Sequence, residues 1–222
     1  MPGHDSSDLL IVLDFDRTIF DTHRYYQDLL AMLAAEHSEA LAEDLRLAEV
    51  ANKYFDPFAH LIGEGISYED AVAAFHSFHE RKYGQRPEGS YIFSDAAEFI
   101  ASIGKRPHTK VAIITTGTLM SQRFKLSLCP QLKPLPAMII SGNKGIHLQQ
   151  DMDAHKAVVL EGVAYRRIAL VDDRDDVLAH IRPHQGHQLF HIVRPGSKYQ
   201  PTISRSDIHE ISSLAQIHDL LQ

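Results

Sequence analysis

The first sharp change of pattern along the chain is the run Leu9-Leu10-Ile11-Val12-Leu13, five apolar residues that pass directly into Asp14-Phe15-Asp16-Arg17-Thr18. An unbroken apolar run of this length predicts a strand buried on both faces, as in a parallel sheet. From about residue 23 to 54 the period changes to helical, with Leu29, Leu30, Leu33, Leu41, Leu45 and Leu47 marking one face. Asp56-Pro57, Gly63 and Gly65 break that run, and Gly63-Glu64-Gly65 is expected to be a plain loop. A second helical run covers about 68–83 and ends at Gly84, with Pro87 and Gly89 beyond it, a plausible exit. Residues 22–90 therefore form a predicted helical insert. From residue 94 helices and strands alternate. Helices are expected at 94–103, 118–128, 153–163 and 175–181. Strands are expected at 111–115, 137–141, 168–171 and 188–193, and a final helix at 207–221. Such alternation implies an α/β fold, a parallel sheet core with helices on both faces, interrupted by the helical insert. The expected division is 1–21 and 91–222 for the core and 22–90 for the insert.

Composition narrows the partners more than the fold. The net charge is −7 over 222 residues, without a long basic run, which argues against nucleic-acid backbone binding as the main activity. The lone Cys129 excludes an intramolecular disulfide framework and fits a reducing, cytoplasmic setting. Residues 1–8 are polar and acidic, so neither a signal peptide nor a membrane span is expected. The 15 histidines include His180, His184, His187 and His191 at helical spacing, and the pair His76 and His79. Pro183 and Gly186 interrupt the first set and the second lacks a third ligand, so both read as surface or packing residues.

In a parallel sheet the strand carboxyl ends share one edge, where ligands of open α/β sheets bind. Three strands here end in polar groups: Asp14 and Asp16; Thr115-Thr116-Gly117; and Asp172-Asp173-Arg174-Asp175-Asp176. Several carboxylates brought this close raise one another's pKa, and Mg²⁺, a hard cation with oxygen ligands, removes the repulsion. Asp14 is placed to attack a phosphoryl group, and Asp16 to protonate the leaving group and later activate water. Thr115 and the amides near Thr116 and Gly117 could hold phosphoryl oxygens, and Lys156 could offset their charge. Asp175 is expected in a helical first turn, favoured by the dipole.

These residues resemble the motifs of the haloacid dehalogenase superfamily, and within it the phosphatases. Asp14-Phe15-Asp16-Arg17-Thr18 is similar to the first motif, DxDxT. Thr115 is similar to the second, a hydrophobic strand ending in Thr or Ser. Lys156 is taken as the third-motif lysine, with Lys144 competing for the role. Asp172, with Asp173 or Asp176, is similar to the acidic fourth motif. The resemblance implies a Rossmann-like core, a helical cap after the first motif, and a metal set drawn from Asp14, Asp16, Asp172, Asp173 and Asp176. It also implies a Mg²⁺-dependent phosphatase acting on a small phosphorylated metabolite through an aspartyl-phosphate. A phosphomutase or phosphotransferase, or a catalytically idle phospho-ligand-binding protein, remains open on the same scaffold. A dehalogenase would need neither Asp16 nor a metal. Arg17 stands where many relatives have Gly. In the insert, Arg24, Tyr25, Tyr26, Lys53, Tyr54 and His60 are candidates to meet the substrate.

Overall fold

A computed structural model of the chain describes residues 8–36, 38–51, 61, 65–195, 202 and 205–221. Its contacts separate the chain into two compact units. Unit one is 1–20, 92–116 and 134–222; unit two is 21–91 and 117–133.

Unit one is built on a six-stranded sheet with strands β1 (Leu9–Leu13), β2 (Thr109–Thr116), β3 (Ala137–Ile140), β6 (Arg167–Asp172), β7 (His187–Ile192) and β8 (Ile208–Ile211). Every pair in it is parallel and the order is β3-β2-β1-β6-β7-β8. The two remaining strands, β4 (Val158–Leu160) and β5 (Val163–Tyr165), form a separate antiparallel hairpin. Setting that hairpin aside, the strand order is that of a doubly wound nucleotide-fold sheet, with its switch point between β1 and β6. All five residues of β1 are buried, as a central strand covered on both faces requires. Leu10, Val12, Ala112, Ile114, Ile168, Leu170 and Leu189 form the centre of the core on one face.

Three elements of unit one depart from the sequence-based expectation. The helix expected at 153–163 lies earlier, at Lys144–His155, where Asn143 caps it by accepting from the Gly145 and Ile146 amides. The residues after it form the β4–β5 hairpin instead. Glu161 and Gly162 both take positive φ, 50° and 78°, which suits the two-residue turn of a tight hairpin. The C-terminal helix expected at 207–221 is replaced by β8, a short 3-10 turn at Leu214–Gln216 and a one-turn helix at Ile217–Leu220. The alternation Ile208-His209-Glu210-Ile211 lets an edge strand form there.

Unit two is helical: α1 (Thr22–Glu36), α2 (Glu39–Val50), α3 (Tyr68–Tyr83) and, from the later segment, α5 (Leu119–Ser127). In unit one α4 is Ser94–Ile103, α6 is the Lys144–His155 helix, α7 is Asp175–Leu178 and α8 is the Ile217–Leu220 turn. The single helical run expected over 23–54 is divided, because Ser38 Oγ accepts from the Leu41 amide at 3.2 Å and starts a new helix. Residues 117–133, expected to belong to the core, group with this unit. The reason is the burial of Phe124, whose ring packs against Tyr25 and Phe75 with centroids 6.4 and 5.5 Å away. Beneath these rings Asp28 is buried and accepts from Lys82 Nζ (2.7 Å), Tyr83 Oη (2.6 Å) and Tyr91 Oη (2.8 Å). Among the described residues, no helix is long and apolar enough to cross a membrane.

Candidate active site

The parallel register sets Leu13 opposite Ile113 on β2 and Val171 on β6. The Asp14 amide continues the ladder by donating to the Val171 carbonyl at 2.9 Å. Asp14 and Asp172 therefore emerge side by side at the switch point, and Asp173 follows. Asp14, Asp172 and Asp173 are all buried and each offers an oxygen within 4.8 Å of the others. After Asp14 the chain folds back at once. The Phe15 carbonyl accepts from the Ile19 and Phe20 amides at 3.0 and 2.9 Å, and Arg17 N donates to Phe20 O at 2.8 Å. Arg17 sits at φ 62°, a left-handed conformation that costs a side-chain-bearing residue about 1–2 kcal/mol. A glycine would adopt this turn freely, so Arg17 keeps the backbone of a glycine position while adding a cation whose charge acts on Asp173.

The lysine of the site is Lys144, not Lys156. Lys144 Nζ donates to Asp14 Oδ1 and lies 2.9 Å from Asp172 Oδ2. It is the first residue of α6, where the helix dipole opposes a cation, and it is 4% exposed. Its carboxylate partners supply the compensation that such a position demands. Burial alone would lower its pKa, but Asp14 and Asp172 raise it, so the ammonium stays charged. Lys156 is exposed at the other end of the same helix. It takes the left-handed cap at φ 55°, and its ammonium donates to the Asp153 carbonyl at 3.3 Å. A helix expected at 153–163 would place Lys156 in its first turn; the observed helix begins at Lys144 instead.

Asp14 thus has both oxygens engaged, Oδ1 by Lys144 and Oδ2 by the Thr18 hydroxyl at 3.1 Å. Burial, then the neighbouring Asp14 charge, pushes Asp172 up to about 7 against the pull of Lys144, and Asp173 is raised well above the usual range by the same kind of crowding. Three carboxylates here face one ammonium, an imbalance that suits a divalent cation and the hard oxygen ligands it prefers. His191, buried on β7, donates from Nε2 to the Asp173 carbonyl at 3.1 Å and so steadies the strand end.

The remaining expected residues fall into place unevenly. Asp16 is half-buried, two residues beyond Asp14, and lies outside the group of three close carboxylates. Asp176 also lies outside it: both its oxygens accept from Arg174, at 3.0 and 2.6 Å. Asp175 accepts from the Thr202 hydroxyl at 2.8 Å. Thr115 is 1% exposed and its hydroxyl has no hydrogen-bond partner among the described residues. A buried hydroxyl left open at a strand end is ready to serve a ligand oxygen. Thr116 donates to the Gly142 carbonyl at 3.2 Å. Gly117 opens the stretch that groups with unit two, where a Cβ would crowd Gln122 Nε2 at 2.6 Å. Of the insert candidates, Tyr25 is a core ring, while Arg24 donates to Ser90 O at 3.0 Å. Lys53, Tyr54 and His60 lie outside the described residues. His79 is buried and donates from Nδ1 to Gln85 O, so it is a packing residue; His184 and His187 stack at 4.6 Å. Sequence reasoning missed the role of Gly145, where a Cβ would collide with the Val177 carbonyl. This close approach lets the start of α6, and Lys144 with it, sit against the end of α7.

No family model matches the chain, and no curated protein matches it. Solved structures do. A haloacid dehalogenase-like hydrolase from Burkholderia xenovorans is similar at 16% identity, with 96% of each chain covered and a TM-score of 0.62. The HAD-hydrolase YfnB of Bacillus subtilis, solved bound to magnesium, is similar at 12% identity over 97% of this chain and 99% of that one, with a TM-score of 0.56. CbbY of Rhodobacter sphaeroides, solved with xylulose-1,5-bisphosphate, is similar at 16% identity over 94% and 96%, with a TM-score of 0.51. A dehalogenase also matches, with a TM-score of 0.51.

Proposed function

From a chain that has the fold of the haloacid dehalogenase-like hydrolases, we propose a phosphatase that hydrolyses a small phosphorylated metabolite, with Mg²⁺ as its metal. The observation that carries this reading is the buried set of Asp14, Asp172 and Asp173 around one ammonium, Lys144. Such an excess of carboxylate fits a divalent cation and has no use in halide displacement, which requires only a nucleophile and a cradle for the leaving ion. Asp16 adds a second acid two residues from the first, which a phosphoryl transfer needs and a dehalogenation does not. Magnesium bound to the structurally similar YfnB and a sugar bisphosphate bound to the structurally similar CbbY support the same class.

Asp14 attacks phosphorus in line, so that the Asp14 O–P bond forms as the P–O bond to the leaving group breaks. Asp16 gives its proton to the departing oxygen, and the Thr115 hydroxyl donates to a phosphoryl oxygen. Lys144 holds the Asp14 carboxylate in one rotamer and balances charge as it becomes an acyl phosphate. In the second step Asp16, now a carboxylate, takes a proton from water as that water attacks phosphorus. Phosphate leaves and Asp14 is restored. Mg²⁺, held by Asp14, Asp172 and Asp173, would supply charge neutralisation for the phosphoryl oxygens.

The test is hydrolysis of p-nitrophenyl phosphate by the purified protein with Mg²⁺. Asp14→Asn and EDTA should each abolish it. Turnover by Asp14→Asn at the wild-type rate would refute the reading. Release of halide from 2-chloropropionate without a metal would favour the dehalogenase instead.

A further inference from the structure

The loop that carries Asp14 is gripped from behind by an arginine far along the chain. Arg194 follows β7 and is 6% exposed. Its Nε and Nη2 donate to the Thr18 carbonyl at 3.2 and 2.7 Å, and its Nη1 donates to Asp95 Oδ2 at 2.8 Å. The guanidinium carbon lies 4.3 Å from the centre of the Phe93 ring. Asp95 is itself fixed, because the same oxygen accepts from Ser213 Oγ at 2.9 Å and from the Leu214 amide at 2.8 Å. All of these residues lie in unit one.

Thr18 is fully buried, and its carbonyl takes no part in the turn bonds that converge on Phe15. Without Arg194 it would be a buried acceptor stripped of that partner, which is unfavourable. The fork geometry is specific to arginine: one planar group reaches two acceptors while stacking on a ring, which lysine cannot reproduce. The grip also spans both chain crossings. Thr18 stands just before the chain leaves unit one after Phe20, and Phe93 and Asp95 stand just after it returns at Ile92.

We propose that Arg194 is a positioning residue for Asp14, acting through Thr18. By fixing the Thr18 carbonyl it fixes the residue whose hydroxyl donates to Asp14 Oδ2, while Lys144 holds Oδ1. With both oxygens tied, the carboxylate keeps a single attack geometry, and small misplacements at this point are costly. The kinetic part of the proposal rests on the phosphatase reading; the structural part does not.

Two measurements on Arg194→Lys, with Asp95→Asn as a second way to loosen the same guanidinium, test it. Hydrogen exchange of the intact protein reads the loop without substrate. The Ile19 and Phe20 amides should exchange at least about tenfold faster, with strands β6 and β7 unchanged. Unchanged exchange in this loop overturns the proposal, whatever the protein's activity. With p-nitrophenyl phosphate, Arg194→Lys should lower kcat between about tenfold and a hundredfold and leave KM within about twofold. Thr18→Val should do the same, and the double variant should be no worse than the poorer single. Losses that multiply would show that Arg194 does not act through Thr18 and would overturn it. If the wild type hydrolyses no phosphomonoester, the phosphatase reading falls, and the exchange result still decides the grip.

Discussion

Gly145 and Val177 approach so closely that a Cβ on Gly145 would overlap the Val177 carbonyl oxygen. This contact brings the first turn of α6 against the end of α7 and delivers Lys144 to Asp14 and Asp172. Gly145→Ala should therefore cost about 1–3 kcal/mol through overpacking. It should also lower kcat well beyond what the lost stability explains, because Lys144 is displaced with its helix. Thermal unfolding and steady-state kinetics on the same preparation check both effects.

The two lysines of α6 should behave oppositely. Lys144→Met leaves Asp14 and Asp172 without their ammonium, and kcat should fall by about 100-fold or more. Lys156→Gly should leave kcat unchanged and stabilise the protein by about 1 kcal/mol, since glycine adopts the left-handed cap without strain. A loss of activity in Lys156→Gly would restore that residue to the site.

The contrast shows what could be read from the sequence. β1 was legible because burial on both faces leaves an unbroken apolar run. The acidic end of β6 was legible because that strand repeats the pattern. Lys144 was legible only as the competitor of Lys156, because its value comes from an unfavourable place, a cation at a helix start, which propensity rules count against. Asn143, a strong cap just before it, was the available signal. The β4–β5 hairpin was signalled only by Gly162. Arg194 had no local signal at all, since its partners Thr18 and Asp95 are remote in sequence. Likewise, the helical period around Phe124 shows that it is buried but not which unit buries it.

Magnesium should stabilise the folded protein, since the carboxylates proposed to hold it come together only in the folded chain. At about 100 times its dissociation constant the gain is about 2.7 kcal/mol, read as a rise in Tm. Asp172→Asn and Asp173→Asn should each remove most of that rise. Asp176→Asn should preserve it, because Asp176 is paired with Arg174.

Asp28 supplies a pH prediction for the helical unit. Burial pushes its carboxyl up, but hydrogen bonds from Lys82, Tyr83 and Tyr91 outweigh this and hold it below the usual range. A depressed carboxyl contributes stability that is present above the unfolded value, about 3.9, and is lost as pH falls through the lower folded value. Tyr91→Phe removes one bond to a charged acceptor and should cost about 1.5–3 kcal/mol at neutral pH. Because the Asp28 carboxyl then rises, acid unfolding should begin at a higher pH than in the wild type. Acid titration followed by circular dichroism checks the direction.

In the proposed reaction Asp14 becomes covalently phosphorylated, and with p-nitrophenyl phosphate Asp16 is needed chiefly to release the phosphoryl group. p-Nitrophenolate leaves without an acid, so Asp16→Asn should still transfer the phosphoryl group but fail to activate water. Asp16→Asn mixed with p-nitrophenyl phosphate and Mg²⁺, then quenched in acid, should show a burst of one p-nitrophenolate per site. Intact-mass spectrometry should show one added phosphoryl group, mapped by peptide analysis to Asp14. A quenched protein of unchanged mass that still releases p-nitrophenolate, or a phosphoryl group found on another residue, would refute an Asp14 phosphoenzyme.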